Sequence, residues 1–394
     1  MKRQTLLVAV TCILAFTLYA ADSIPGGFSL PLRWRAGVEM SSGWVPGTSS
    51  FMRGENPSGS CINSTLSGDA RVGFSYDHAS LPGMLYKGLY QGVGIGVNSY
   101  FHEKTLGTPV SVYVFQGAPF AKIGRCLWLG YEWEFGAAFG WKHYNEQSTE
   151  NTAPVSTSVT AHMGIAAKFH YHVSDRWELS AGVNLRHYSN GNTSFPNRGV
   201  NSVGAVVGVE YNFNIEHNDC HNPSNKMIDE ADKGKWVFDV MAFGACRKRV
   251  LVIDNSPTIL PGKFGVLGMQ FSPLRQLNRY VAVGPAIDFM WDESADLTPN
   301  WVEGTNGENI LIRRPKFGDQ ISVGASAHAE LTMPVFTLNA GLGYDFVKPS
   351  KERRFYQSLT LKTFITQNIY LNVGYRLARF HDPQNLMLGL GVRL

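Results

Sequence analysis

His187 and Ser189 stand two residues apart, and Asn201 follows fourteen positions after the histidine. A serine hydroxyl is a weak nucleophile until a neighbouring imidazole takes its proton, and the imidazole needs a third group to hold its tautomer. Asn201 can accept from the ring N–H through its amide oxygen, as in Cys-His-Asn enzymes, but it brings no negative charge to an imidazolium. The set therefore points to acyl transfer through a serine ester, slower than with a carboxylate. Asn190 and the backbone N–H groups near Gly191 come next in the chain and are candidates for stabilising an oxyanion.

Chemistry of this kind requires the three side chains to meet, and the local pattern says how. Trp177–Tyr188 and Val203–Phe213 alternate apolar and polar residues, with a loop rich in Asn, Gly, Ser and Pro between them. That is a β-hairpin with a long connection. Counting in twos along the first segment, Leu179, Ala181, Val183 and Leu185 share a face with His187 and Ser189. In the second, Val203, Ala205, Val207, Val209, Tyr211 and Phe213 are in phase with Asn201. Three polar groups thus project toward the apolar side, where an acyl substrate would lie.

The same alternation recurs along the whole chain. Strands are expected at about 30–43, 67–77, 87–100, 109–122, 127–141, 157–172, 177–188 and 203–213, then at 236–247, 264–272, 279–291, 317–331, 335–346, 355–365, 369–379 and 386–394. Runs such as Leu127–Trp141 exceed an ordinary sandwich strand and match a tilted membrane-spanning one of roughly 9–11 residues. Short turns at 123–125, 173–175, 332–333 and 366–367 alternate with long loops at 44–66, 144–156, 248–263 and 292–316, the two-sided pattern of outer-membrane barrels. Composition agrees: 41 Gly, 12% aromatic and only 17% charged, with no spanning-helix stretch after residue 20. The expected fold is all-β, an antiparallel transmembrane β-barrel of about sixteen strands. Two eight-stranded units are favoured by the inward glycines Gly92, Gly94 and Gly96 and by the polar linker 214–235; one large sixteen-stranded barrel is the alternative.

Residues 1–20 read as a signal peptide, with a basic Met1-Lys2-Arg3, an apolar Leu6–Leu18 and a cleavage site after Ala20; a membrane anchor is the competing reading. Export directs the chain to the bacterial outer membrane, with membrane lipid as its surroundings. A net charge of +4, scattered, gives no case for nucleic acid. Cys61, Cys126, Cys220 and Cys246 fit no zinc spacing and allow one or two disulfides, and His217, Cys220 and His221 read as an exposed linker rather than a metal site. Tyr131, Trp133, Phe139 and Trp141 are expected in the outer aromatic girdle, whereas Glu132 and Glu134 face inward to meet basic residues; Glu178 with Arg186 is a pair of that kind. Trp177–Phe213 and Ile369–Leu394 look like copies of one unit, with Arg379 in place of His187.

The segment His187–Asn201, HYSNGNTSFPNRGVN, resembles the signature of the outer-membrane lipid A 3-O-deacylase family, also called acyloxyacyl-hydrolase-like. The likeness extends loosely through 115–124 and 129–142 to cover about residues 60–213. The second half lies outside it, although the layout is similar to longer two-part relatives in bacteria of the Bacteroides kind. The resemblance implies an eight-stranded barrel over 21–213 whose site faces the lipid and hydrolyses the 3-hydroxyacyl ester at position 3 of lipid A in lipopolysaccharide, with no cofactor. Carried over, Ser189 matches the nucleophile and His187 the general base. The family's third member is acidic, and here that position is Asn201. Residues 236–394 are expected to be a second eight-stranded unit without catalytic residues, and homodimerisation stays open. The rival expectation is a channel or structural barrel descended from a deacylase.

Overall fold

The computed structural model describes residues 32–77, 80–142, 153–191, 193–194, 197–213, 233–253, 256–295, 297, 302–303, 311–348, 353–380 and 382–394. The signal segment, His217, Cys220, His221 and most of the 214–235 linker lie outside this set.

The chain forms two units, each a closed antiparallel ring of eight strands. In the first, β1 (Leu32–Trp44), β2 (Ser64–Tyr76), β3 (Tyr90–Ser99), β4 (Gly107–Lys122), β5 (Leu127–Trp141), β6 (Val159–His172), β7 (Trp177–Ser189) and β8 (Val200–Asn212) pair in chain order. The ring shuts because β8 returns to β1, from Arg35 opposite Asn212 to Trp44 opposite Val203. In the second, the strands are Trp236–Arg247, Phe264–Gln276, Val281–Asp292, Ile321–Thr332, Phe336–Val347, Phe355–Phe364, Ile369–Ala378, and a last strand in two pieces, Asp382–Leu386 and Leu388–Arg393. Leu388–Arg393 pairs back onto Trp236–Arg247 and closes it. The single sixteen-stranded barrel is therefore excluded. Two short hairpins in the loops, 250–259 and 302–312, have no counterpart in the alternation pattern.

Alternation becomes two chemically different faces. On β7, Leu179, Val183 and Leu185 are exposed while Glu178, Ser180, Asn184 and Arg186 are buried. Val38 and Met40 of β1, Ile165 of β6 and Val207 of β8 continue the exposed apolar band, each more than half exposed. Water would not tolerate so large an apolar surface, whereas bilayer hydrocarbon covers it. Among the described residues no helix is long and apolar enough to cross a membrane.

An eight-stranded ring is just wide enough for its own side chains, so the first lumen is filled rather than open. Buried charge is tolerated there only when paired. Arg71 joins Glu132 at 2.5 Å and also reaches Glu39, and Lys168 binds the same two acids at 2.8 and 2.6 Å. Arg186 meets Asp69 at 3.2 Å and Glu134 at 3.0 Å, and Arg35 meets Glu178 at 2.8 Å. The pairing expected between Glu178 and Arg186 is thus incorrect, because each finds its partner on another strand. At Gly94 a Cβ would come within 2.5 Å of the Tyr113 ring, so the glycine is what admits that ring to the lumen.

Trp141 also departs from expectation: it is buried, donates to Thr160 Oγ1 at 2.9 Å and packs beside Tyr100 and Tyr188. Alternation breaks just before it, at Gly140 (φ +95°), where the β4–β5 register shifts between Gly107 and Val110. Trp141 joins Val45, Phe51, Met52, Ile62, Leu106 and Val155 in an apolar cluster at the loop end of the ring. Cys61, Cys126 and Cys246 are free thiols.

Candidate active site

β7 extends to Ser189 and β8 begins at Val200, so both segments are longer than alternation alone indicates. In consequence His187 and Asn201 fall inside the ladder and face each other directly across it. His187 Nδ1 and Asn201 Oδ1 are 2.6 Å apart. An amide oxygen only accepts, so the ring proton sits on Nδ1 and the Nε2 lone pair is left to act as a base. His187 is half-buried at the end of the row formed by exposed Val183 and Leu185, so the outward phase read from the sequence is the one observed.

Ser189 pairs with Ala161 of β6, as His187 pairs with Met163, and keeps the outward phase. It is only 7% exposed, at the point where the strand enters its loop. Residues two apart on one strand face lie about 7 Å apart at the backbone, within reach of a serine and an imidazole that turn toward each other. Among the described residues Ser189 Oγ makes no hydrogen bond to the His187 ring. Nucleophile and base often come into contact only once substrate is bound.

The loop after Ser189 is tied down on both sides. Asn190 donates its backbone N–H to Asn197 Oδ1 at 3.0 Å and its side-chain amide to Ser156 Oγ at 2.8 Å. Arg198 donates its backbone N–H to Pro154 O at 3.0 Å, and its guanidinium reaches Ser50 Oγ at 2.9 Å. Asn190, a candidate oxyanion donor in the sequence, is thus bonded within the loop. Gly191, with φ +64°, turns the chain out of the strand.

One residue of the site was not singled out in the sequence. Gly199 has φ +65°, and a Cβ there would stand 3.0 Å from His187 Cε1 and 3.1 Å from the Tyr188 carbonyl oxygen. It backs directly onto the imidazole. Its signal is visible only as the glycine two residues before Asn201.

The second unit contains a similar trio. Ser326 Oγ is 2.9 Å from His328 Nε2, and His328 Nδ1 is 2.8 Å from Asn339 Oδ1 on the next strand. These residues point into the lumen, all less than a tenth exposed. Asp288 and Gln270 bond to them on one side, and Asn339 donates to Glu330 on another. The Ser326 hydroxyl donates to Asp288, and the trio is enclosed in packed polar side chains. Arg379, set against His187 in the sequence comparison, is not in a strand at all: it follows Ala378 in a turn, with φ +53°. The buried acids Glu39, Glu132 and Glu134 lie close enough together to suggest a metal, but Arg71, Lys168 and Arg186 already supply the positive charge there.

Comparison with known families decides the class. The family model described as Lipid A 3-O-deacylase (PagL) matches residues 71–210, and that described as Acyloxyacyl hydrolase, C-terminal domain, matches residues 236–394. The chain belongs to the lipid A 3-O-deacylase family. This deacylase-family chain is an outer-membrane β-barrel protein. The second half, expected to lie outside the likeness, has a family model of its own. No curated protein matches the deacylase-family chain as a relative. Among solved structures it is similar to the outer membrane enzyme PagL, with 19% identity, a TM-score of 0.29, and coverage of 44% of this chain and 97% of that one. It is also similar to Neisserial surface protein A, with 13% identity, a TM-score of 0.29, and coverage of 46% and 97%.

Proposed function

We propose that this protein is an outer-membrane serine esterase that removes the 3-hydroxyacyl chain ester-linked at position 3 of lipid A in lipopolysaccharide. The observation that carries the reading is the His187–Asn201 hydrogen bond on the outward apolar face that also bears Ser189. Lipid acyl chains meet this face without leaving the membrane, so the ester need not be extracted into water.

In the reaction, His187 Nε2 takes the Ser189 hydroxyl proton as Oγ bonds to the acyl carbonyl carbon. The carbonyl oxygen becomes an oxyanion, and the Gly191 backbone N–H is the proposed donor to it. Collapse breaks the bond to the sugar oxygen, which leaves with the proton from His187, and the acyl group remains on Ser189. His187 then deprotonates a water that attacks the acyl-serine, freeing a 3-hydroxy fatty acid and restoring Ser189. Asn201 keeps the ring oriented throughout, but it adds no charge to the imidazolium, and turnover is correspondingly slower than with a carboxylate.

The test is to incubate outer-membrane vesicles containing the protein, or its Ser189→Ala variant, with lipopolysaccharide and weigh the lipid A by mass spectrometry. Loss of one hydroxyacyl chain with the native protein alone supports the reading. Loss that persists in the variant rejects the serine mechanism. The neutral Asn201 and the unmade Ser189–His187 bond favour the second reading, a non-enzymatic barrel derived from a deacylase, and release from neither preparation would establish it.

A further inference from the structure

A second serine and histidine meet in the loops of the first unit. Ser60 lies between β1 and β2, and His102 between β3 and β4. Ser60 Oγ is 3.0 Å from His102 Nε2, and His102 Nδ1 is 3.0 Å from the Tyr100 carbonyl oxygen. A carbonyl only accepts, so the ring proton sits on Nδ1 and the Nε2 lone pair faces the hydroxyl. Ser58 Oγ is also near, 2.9 Å from Ser60 Oγ and 2.6 Å from Asn56 Oδ1. Asn56 takes the Ser58 proton, and an imidazole nitrogen is a stronger base than a second hydroxyl, so Ser60 donates to His102.

Both loops are fixed to the barrel. Phe51, Met52 and Ile62 on one and Tyr100 and Leu106 on the other are buried in the same apolar cluster. Asn56 Nδ2 donates to Phe51 O at 2.7 Å and to Ser60 O at 2.8 Å, and the Leu106 N–H donates to His102 O at 2.8 Å. Phe101 has φ +59°, a conformation that is costly for a bulky side chain, and it turns the chain so that the next residue reaches back to the Tyr100 carbonyl. The strain is spent on aiming His102. Ser60 is exposed and His102 half-buried, and the neighbouring Phe101 is 57% exposed. The Cys61 N–H, directly after the serine, has no hydrogen-bond partner among the described residues.

We propose that Ser60 and His102 are a second nucleophile and base, acting on short, water-soluble carboxylic esters. His102 Nε2 takes the hydroxyl proton as Ser60 Oγ bonds to the carbonyl carbon, and the Cys61 N–H meets the oxyanion, the position that serves this purpose in hydrolases with a nucleophile elbow. The bond to the alcohol oxygen breaks, and the alcohol leaves with the proton from His102. Water, deprotonated by His102, then attacks the acyl-serine and frees the carboxylic acid. The substrate class follows from the surroundings: the hydroxyl opens to water beyond the strands, and Phe101 offers apolar surface for a short acyl group. Chemistry at Ser189 is not required.

The full chain carrying Ser189→Ala, in detergent, is treated with a fluorophosphonate and the modified residue is located by mass spectrometry. Attack forms the Oγ–P bond, displaces fluoride and passes the hydroxyl proton to His102. Hydrolysis of p-nitrophenyl acetate is followed in parallel by the absorbance of nitrophenolate. The expected result is a label on Ser60, loss of both label and hydrolysis on adding Ser60→Ala, and a slowing of both by about a hundredfold on adding His102→Gln, the contribution of a positioned base. Heat-modifiable migration on a gel verifies that each variant is folded. No label on Ser60, a label on Cys61 in its place, hydrolysis undiminished by Ser60→Ala, or rates unchanged in folded His102→Gln overturns the proposal.

Discussion

His187 and Asn201 occupy one rung of the β7–β8 ladder, with Nδ1 and Oδ1 2.6 Å apart. Because they are opposite each other in a closed ring, their separation is set by backbone pairing and not by a mobile loop. The ring therefore arrives at the site with its tautomer already chosen.

Asn201→Asp is expected to raise the rate of hydroxyacyl release. A carboxylate accepts the same N–H and also stabilises the imidazolium, a difference of about 1–2 kcal/mol and so roughly tenfold. Asn201→Ala is expected to lower the rate. Initial rates on lipopolysaccharide vesicles test both, and an aspartate variant slower than the native protein would contradict the role given to Asn201.

Gly199→Ala is expected to slow release while leaving the barrel folded. The new methyl group meets His187 Cε1 at 3.0 Å, and the left-handed φ of +65° costs an alanine about 1 kcal/mol. Displacing the imidazole loses more than the strain itself. Heat-modifiable migration together with the rate separates a moved histidine from a misfolded barrel.

Ser326→Ala is expected to leave release unchanged, in contrast to Ser189→Ala. Ser326 is bonded to Asp288 and His328 within the lumen, whereas Ser189 keeps the outward phase of its strand, opposite Ala161. A fall in activity with Ser326→Ala, in protein that still migrates as folded, would show that the second unit takes part in the chemistry.

Arg71→Met is expected to destabilise the first unit strongly, by about 3–5 kcal/mol, since it leaves Glu39 and Glu132 sharing Lys168 alone. Urea-induced unfolding in detergent micelles, followed by tryptophan fluorescence, gives the value. A midpoint equal to that of the native protein would mean that water has replaced the guanidinium.

Alternation of period two was enough to locate sixteen strands and to set His187, Ser189 and Asn201 on the apolar side, because a strand's side chains have only two directions. It could not foresee Trp141, whose direction reverses after the positive φ of Gly140, nor Gly199, whose importance lies in the ring it touches. The partners of Glu178 and Arg186 were equally hidden: Arg35 is on β1 and Asp69 on β2, brought across the lumen only when the sheet curls shut. Ring size was decided in the same way. Each strand carries two hydrogen-bonding edges wherever it lies in the chain, and only the folded structure determines that β8 satisfies the free edge of β1 while the final strand satisfies that of Trp236–Arg247. Side-chain direction is thus a local property that the sequence determined alone, and closure is a long-range one that it left to tertiary structure.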